Sequence, residues 1–315
     1  MTLIQLKYVV AVDTYRHFAT AAEHCFVTQP TLSMQINKLE KELDILIFDR
    51  SKHPVQPTAI GKKIISQARI ALKESEKIEE LVKGSKGLVS GEFKLGIIPT
   101  ITPYLLPRFL REILNEHPDI HLRIEELQTD QILDKLDKDQ LDAGILATPL
   151  HDNRIVELPL YYEPFMAYVP KGHRLEKEEF VLHSELLLKD ILLLKNGHCF
   201  RDNVINLCKS AFPEGSNEGA MELESGNFDT LIKLSNQGFG MTLLPYLAAI
   251  DLPEPDRHNI KPIEHPQPSR EISIIHNKAQ LKISIIDVIA KVIRKQIPAK
   301  LLKQEEGSIV SPLAS

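Results

Sequence analysis

Apolar residues return every three or four positions at the start of the chain. Leu3, Leu6, Val9, Val10 and Val12 lay a stripe along a first helix. A short second helix follows over 18–25, where Ala19, Ala21 and Ala22 permit close packing, and Phe26-Val27 turns the chain. Thr28 is placed to cap a third helix with Pro30 in its first turn, where a missing N–H costs nothing. Leu32, Ile36, Leu39 and Leu43 form its buried stripe. Two short extended pieces over 46–50 and 54–57 read as a wing. From 58 to 83, Ile64, Ala68, Ala71, Ser75, Ile78 and Val82 alternate by four and three, the seam of a coiled coil. A lone helix with so thin a stripe is marginal, so the pattern predicts a second copy of the chain as its partner.

Gly84-Ser85-Lys86-Gly87 and Ser90-Gly91 punctuate 84–91 as a hinge, and beyond it strands and helices alternate. Strands are predicted over 93–98, 120–127 and 141–146, with helices over 103–116 and 130–138. That order gives an α/β domain with a mainly parallel sheet. A second α/β half starts near residue 165. It holds a strand at 191–194, helices at 200–212 and 227–236, a strand at 270–276 and a closing helix at 281–297. Gly238 and Gly240 follow a helix rather than a strand, so they are no dinucleotide fingerprint. Residues 299–315 read as a polar, loosely ordered tail. Ligands of such sheets sit beyond the carboxyl ends of strands. Pro99-Thr100 and Gln128-Thr129 lie there, although Thr129 is equally a good helix N-cap.

Net charge changes the picture of the N-terminal part. Residues 1–73 carry ten Lys and Arg against six Asp and Glu, while 74–315 carry 28 against 37. A basic small domain on an acidic body points to nucleic acid as partner of the first part only. The exposed faces of the third helix fit that: Gln29, Thr31, Ser33, Gln35 and Lys38 are suited to base edges and phosphate, and a solvated polar face is the plainer reading. The two preceding short helices favour a helix–turn–helix with a recognition helix. Arg50 and Lys52 in the wing are aimed at the phosphate backbone.

Three cysteines in 315 residues exclude a disulfide-stapled secreted domain. No signal peptide is expected, and charges interrupt every apolar run before it could cross a bilayer, so a cytoplasmic location is expected. Two of the cysteines lie in Gly197-His198-Cys199-Phe200-Arg201-Asp202 and at Cys208. Cys199 falls where a strand gives way to a helix N-terminus, whose free N–H groups favour a thiolate. His198 and Arg201 can add positive charge, and Asp202 an acceptor. The plainer reading is a buried thiol acting as a small hydrophobe, which suits Cys208 on the apolar helix face, and Cys25 among the alanines. A zinc site is disfavoured, since His-Cys adjacency with one distant Cys lacks the paired spacing of structural zinc. If Cys199 opens the helix that carries Cys208, nine residues separate them by about 13 Å.

The first residues resemble a known family closely. Ala19-x-Ala21-Ala22, Thr28-Gln29-Pro30-Thr31-Leu32-Ser33-x-Gln35-Ile36-x-x-Leu39-Glu40, Leu43 and Phe48-x-Arg50 look like the winged helix–turn–helix of LysR-type transcriptional regulators. Asn37 and Met34 stand where that family commonly has cations, and Lys38 is the substitute. The resemblance implies a winged helix–turn–helix over 1–57, a coiled-coil linker helix over 58–83, a hinge at 84–91 and a two-lobed α/β regulatory domain of periplasmic-binding-protein type over 92–298.

Gly96-x-Ile98-Pro99-Thr100, Pro103-Tyr104-Leu105-Leu106-Pro107, Gln128-Thr129, Gly197-His198-Cys199-x-Arg201-Asp202 and Cys208 further resemble the peroxide-sensing branch of the family. That likeness implies Cys199 as the thiol oxidised by hydrogen peroxide and Cys208 as the one that closes a disulfide with it. Thr100, Thr129, His198 and Asp202 would surround the peroxide, with Arg270 in support. It implies double-stranded DNA with two-fold related half-sites, dimers and tetramers of the chain, RNA polymerase and a thiol reductant such as glutaredoxin or thioredoxin as partners. No cofactor, metal or membrane is implied. Two alternatives stand beside it: a LysR-type regulator answering a small organic effector between the lobes, and a thiol peroxidase, for which a recognition helix has no use.

Overall fold

The computed structural model describes residues 1–85, 89–211, 225–304 and 309–310. The chain divides into two compact units, Met1–Leu88 and Val89–Ser315. In the first, α1 (Leu3–Tyr15) opens on Thr2, whose hydroxyl accepts the Gln5 N–H while the Gln5 side chain accepts the Thr2 N–H. α2 (Phe18–His24) and α3 (Gln29–Leu43) follow, and Thr28 caps α3 through the Thr31 N–H. Leu32, Ile36 and Leu39 close a core with Leu6, Val9, Val12, Ala21 and Ala22. Leu43, predicted in that stripe, is exposed at the end of α3. β1 (Phe48–Asp49) and β2 (Gln56–Pro57) pair antiparallel as the wing.

α4 (Ala59–Ser85) departs from the predicted seam. Its early turns pack on α1, burying Ile65 and Ala68, with Ile64 and Ala71 at the margin of the same core. Three short helices leave an open apolar side, and α4 covers it before it can face a second copy. Only farther along does the stripe come free, with Ile78 66% exposed. The side chain of Val82 and hinge residues 86–88 lie outside the described residues, and α4 runs on through Gly84 and Ser85.

The second unit is built on β3 (Gly91–Ile97), α5 (Thr102–Glu116), β4 (Ile120–Glu126), α6 (Thr129–Asp137), β5 (Ala143–Thr148), β6 (Ile155–Tyr168), β7 (Ile191–Leu192) and α7 (Cys199–Ala211). Then come α8 (Phe228–Ser235), β8 (Met241–Pro245), α9 (Tyr246–Ile250), α10 (Glu254–Arg257), β9 (Ile260–Pro262), β10 (Ser269–Asn277) and α11 (Ile283–Gln296). The sheet runs β4-β3-β5-β10-β6-β8-β7, with β9 also on β6. It is mixed, not mainly parallel. β3 is parallel to β4 and β5, and β7 to β8, but β10 and β6 join those groups antiparallel to their neighbours.

The 14-residue β6, which the periodicity did not reveal, is common to both lobes. Its first part pairs with β10, Phe165–Tyr168 pairs with β8, and Met166–Tyr168 with β9. β10 and α11 therefore return to the first lobe rather than completing the second. Ile272, Ile274, Ile286 and Ile289 share a core with Phe93, Leu95, Phe109 and Ile145. A separate core holds Phe165, Phe200, Val204, Cys208, Phe228 and Leu243.

The predicted loose tail is corrected at the residues described, 299–304 and 309–310, while 305–308 and 311–315 lie outside them. Residues Ala299–Leu302 form a turn of 3-10 helix that buries Leu301 in the first core. Farther on, Ile309 bridges Ser269, the Val310 N–H donates to the Ser269 carbonyl, and the fully buried Asn203 amide donates to the Val310 carbonyl at 2.8 Å. Val310 also packs against the second core. A chain ended after Gln304 loses these contacts, and we expect it to be about 1–3 kcal/mol less stable to urea, the range for a lost partner of a buried polar group. Denaturation of the two chains side by side measures this.

Candidate functional site

Three strand ends converge on one place. After β3, the turn closed by the Ile101 N–H on the Ile98 carbonyl carries Thr100. After β4, α6 begins at Thr129, and after β7, α7 begins at Cys199. Gly197 explains how the last two meet. Its φ of +90° is left-handed, and a Cβ there would fall 2.8 Å from the Gln128 side-chain oxygen. Only glycine lets the loop before Cys199 lie against the start of α6.

Thr129 was weighed as an N-cap, but Gln128 holds that position and Thr129 is the first helical residue. Its hydroxyl and the Phe200 N–H both favour the ionised form of the Cys199 sulfur.

Cys199 is not the exposed thiolate that its charged flanks predicted. It is 9% exposed and packs in the first core. Burial pushes its pKa above the ordinary 9.0; the Arg270 charge, the Thr129 hydroxyl and the Phe200 N–H pull it down, and the Asp202 carboxylate pushes it up. The net shift is upward, so the resting group is a thiol. The neighbouring residues do not supply the expected charge. His198 is buried and its pKa is depressed by desolvation and by Lys195, so the ring is neutral. Arg201 donates instead to the Leu194 carbonyl, tying α7 to the chain after β7. Asp202 is half-buried and its pKa is raised by desolvation.

The cation of the site is Arg270, from β10. It is 1% exposed, and its guanidinium donates to the Thr100 hydroxyl at 3.2 Å and lies 5.0 Å from the centre of the Phe200 ring. Glu163 of β6, directly opposite in the register, accepts from two of its nitrogens at 3.1 and 2.8 Å. Glu163 is absent from the sequence reading. Its signal was a lone carboxylate in the apolar stretch Tyr161–Tyr168, legible only once that stretch is known to be a buried strand. Thr100, Thr129, Cys199, Phe200, Arg270 and Glu163 thus form one linked cluster. His198 adds an Nε2 with no partner among the described residues. A buried ring nitrogen without a partner suits a small hydrogen-bonding molecule.

Cys208 is elsewhere. It sits at 3% exposure in the second core, where burial pushes its pKa up to about 12. All three cysteines are free thiols, and Cys25 is half-buried at the edge of the first unit's core. Cys199 and Cys208 lie on one continuous helix, about 13 Å apart by helical rise, against a disulfide requirement of roughly 4.4–6.8 Å between Cα atoms. Among the described residues no cluster of His, Cys, Asp and Glu could hold a metal ion.

In the first unit Gln29, Pro30, Thr31, Lys38 and Lys52 are exposed, while Ser33 and Gln35 are half-buried. Gln35 accepts from Gln5, and Lys52 lies 4.0 Å from Asp49. Arg50 is exposed and also makes contacts within the unit. It donates to Ser33 and to the buried Glu40, and covers the Phe18 ring at 4.9 Å. Glu40 in turn accepts the Ile47 and Phe48 N–H groups, so Arg50 locks the wing to α3.

A helix–turn–helix unit followed by a two-lobed domain with a small buried polar site is the build of a signal-responsive DNA-binding regulator. The chain belongs to the LysR family of bacterial regulators: residues 3–62 match "Bacterial regulatory helix-turn-helix protein, lysR family" and 86–297 match "LysR substrate binding domain". It is 34% identical over 309 residues, 96% of this chain and 99% of the relative, to the DNA-binding transcriptional dual regulator OxyR of Escherichia coli K12. The hydrogen peroxide-inducible genes activator of Haemophilus influenzae is 33% identical over 88% of this chain and 90% of its own. Full-length OxyR C199D from Pseudomonas aeruginosa superposes with a TM-score of 0.81 at 34% identity, covering 97% of this chain and 99% of that one. A hydrogen peroxide-bound OxyR mutant from Corynebacterium glutamicum gives 0.62 at 28% identity, covering 94% and 92%.

The raised thiol sets a clear expectation for reactivity. Alkylation of Cys199 by iodoacetamide should still be climbing as pH rises past the ordinary 9.0, with no plateau at neutral pH, and Cys208 should lag behind it throughout. Thr129→Val removes a hydroxyl that favours the thiolate, so its curve should move to higher pH and its rate at pH 7 should drop severalfold. Mass spectrometry of the two cysteine peptides reads both.

Proposed function

We propose that this chain is a DNA-binding transcription regulator that senses hydrogen peroxide through Cys199 and fixes the signal as a Cys199–Cys208 disulfide. The observation that carries the reading is the cluster around Cys199: a thiol at a helix N-terminus, where the Thr129 hydroxyl and the Phe200 N–H favour its ionised form, beside a buried arginine held by Thr100 and Phe200. Those groups favour the thiolate that attacks and the charge that develops on the departing peroxide oxygen.

In the first step the Cys199 sulfur attacks one peroxide oxygen and the O–O bond breaks. The thiol becomes a sulfenic acid, and the other oxygen leaves as water with the thiol proton. In the second step the Cys208 sulfur displaces that hydroxyl as a second water, and the S–S bond forms. The helix between the two must come apart first. Phe200, Val204 and Leu207 leave the second core, a cost on the order of 5–9 kcal/mol at 1.5–3 kcal/mol per side chain. Packed segments of this kind switch between arrangements rather than stretch, and that is how a small oxidant reaches the DNA-binding unit.

Gln29, Pro30, Thr31, Ser33 and Lys38 read DNA from the exposed face of α3, with Lys52 on the backbone. Gln35 and Arg50 act mainly by holding that helix. The chain works as dimers through the far part of α4, and as tetramers, with RNA polymerase and a thiol reductant such as glutaredoxin or thioredoxin as further partners.

After mild peroxide, peptide mass analysis should find the Cys199–Cys208 disulfide in the native chain. Cys208→Ser should stop at the sulfenic acid, and Cys199→Ser should lose the response; an inducible Cys199→Ser chain would instead favour an organic effector. DNA affinity should fall steeply with salt, because phosphate neutralisation releases counterions. Gln29→Ala should relax base preference at least tenfold less harmfully on random DNA than on a specific site, as gel-shift titration can show.

A further inference from the structure

The charge beside Cys199 does not act alone. Arg270 is held from three sides: by Thr100 after β3, by the ring of Phe200 on α7, and by Glu163 on β6. Glu163 is itself fixed, since its other oxygen accepts the Leu247 N–H at 2.9 Å. The register places Arg270 and Glu163 opposite each other, and both are almost wholly buried. A cation paired this closely presents to a third group the field of a dipole, which decays faster than that of a bare charge. The pair therefore attracts a Cys199 thiolate far less than an unpaired guanidinium would.

We propose that Glu163 is a positioning residue that acts through Arg270: its carboxylate offsets the guanidinium and so keeps Cys199 a thiol in the resting sensor, setting how readily it is oxidised. This rests on the reading of Cys199 as the sensing thiol. The other groups facing Cys199 add no net positive charge. From α7 Asp202 works against the thiolate, from α6 Thr129 offers only a hydroxyl, and His198 beside it is neutral, with Lys195 acting on His198 rather than on the sulfur. The balance is then decided between β10 and β6. Burial is the larger push on the thiol, and the pair limits how far Arg270 can pull it back.

Two substitutions separate charge from shape. Glu163→Gln keeps the size and one acceptor oxygen but removes the charge; Glu163→Asp keeps the charge but withdraws it by one methylene. The readout is iodoacetamide alkylation of Cys199 in the full chain across pH, followed by mass spectrometry, with a thermal melt to confirm folding. We expect the Glu163→Gln curve to move to lower pH, with alkylation at pH 7 about tenfold faster for each unit moved. Glu163→Asp should stay with the native curve. Superposed Gln and native curves, or an Asp curve displaced as far as the Gln one, would overturn the proposal.

If Glu163→Gln does not fold, the double variant Glu163→Leu with Arg270→Met replaces the buried pair by apolar groups, a change that buried ion pairs often tolerate. Its curve should stay close to the native one, because a paired guanidinium attracts the thiolate only weakly, and a curve moved far to higher pH would count against the idea. None of these measurements uses peroxide or DNA, so they stand or fall apart from the disulfide switch.

Discussion

Two opposite charges 2.8 Å apart, both nearly sealed from water, sit opposite each other where β10 pairs with β6. Breaking such a pair strands a charge in a low-dielectric interior, which typically costs 3–5 kcal/mol. The strands are therefore held in one register at this point. A slip of one residue would turn Arg270 and Glu163 to the other faces of their strands. Because β6 serves both lobes, fixing its register against β10 also fixes where Phe165 and its neighbours enter the second core. Thr100 and Phe200 then take up the remaining sides of the guanidinium, and Phe200 brings α7 with it.

α7 is the element that this arrangement leaves divided. Its first residue, Cys199, packs in one core, and the next, Phe200, packs in the other against Phe165 and Phe228. Cys208, at the far end, is in the second core as well. A helix seated across two cores has no gradual way to bring its ends together. Shortening it by even a few residues pulls Phe200, Val204 and Leu207 from their sites at once. The thiol pair is thus kept apart by packing, and not by any lack of chemical affinity between the two sulfurs.

Much of this was legible in the chain. The helices of the first unit follow from their three-four stripes, and Thr28, Thr100, Thr129 and the Cys199 stretch were found at strand or helix ends, where polar side chains have a reason to be. The signals that failed share a physical cause. β6 is buried in part on both faces and contains Pro159, Glu163 and Pro164, so it lacks the clean alternation that marks a strand with one wet face. Without β6 the sheet looked parallel and Glu163 had no place. The thiolate expectation failed because sequence shows charged neighbours but not which way they point. His198 is buried neutral, Arg201 turns to Leu194, and the charge comes from a residue 71 positions away. Arg50 has a partner of the same kind, since Glu40 comes beside it only when α3 and the wing are packed.

The docked end of the chain adds a separate control on the same helix. Asn203 lies between the two cysteines, buried, and its amide is bonded to the Val310 carbonyl. Any rearrangement that turns this part of α7 must break that bond and take Val310 from the second core. The chemistry of the first oxidation depends on the charges around Cys199, whereas the second step waits on the local stability of α7. These are different residues, responding to different substitutions. On the proposed mechanism, a change at Glu163 or Thr129 would act on how fast the sulfenic acid forms, and one at Asn203 or Val310 on how long it persists before Cys208 arrives. Phe200 links the two, since its ring lies 5.0 Å from the Arg270 guanidinium and packs in the second core that holds α7.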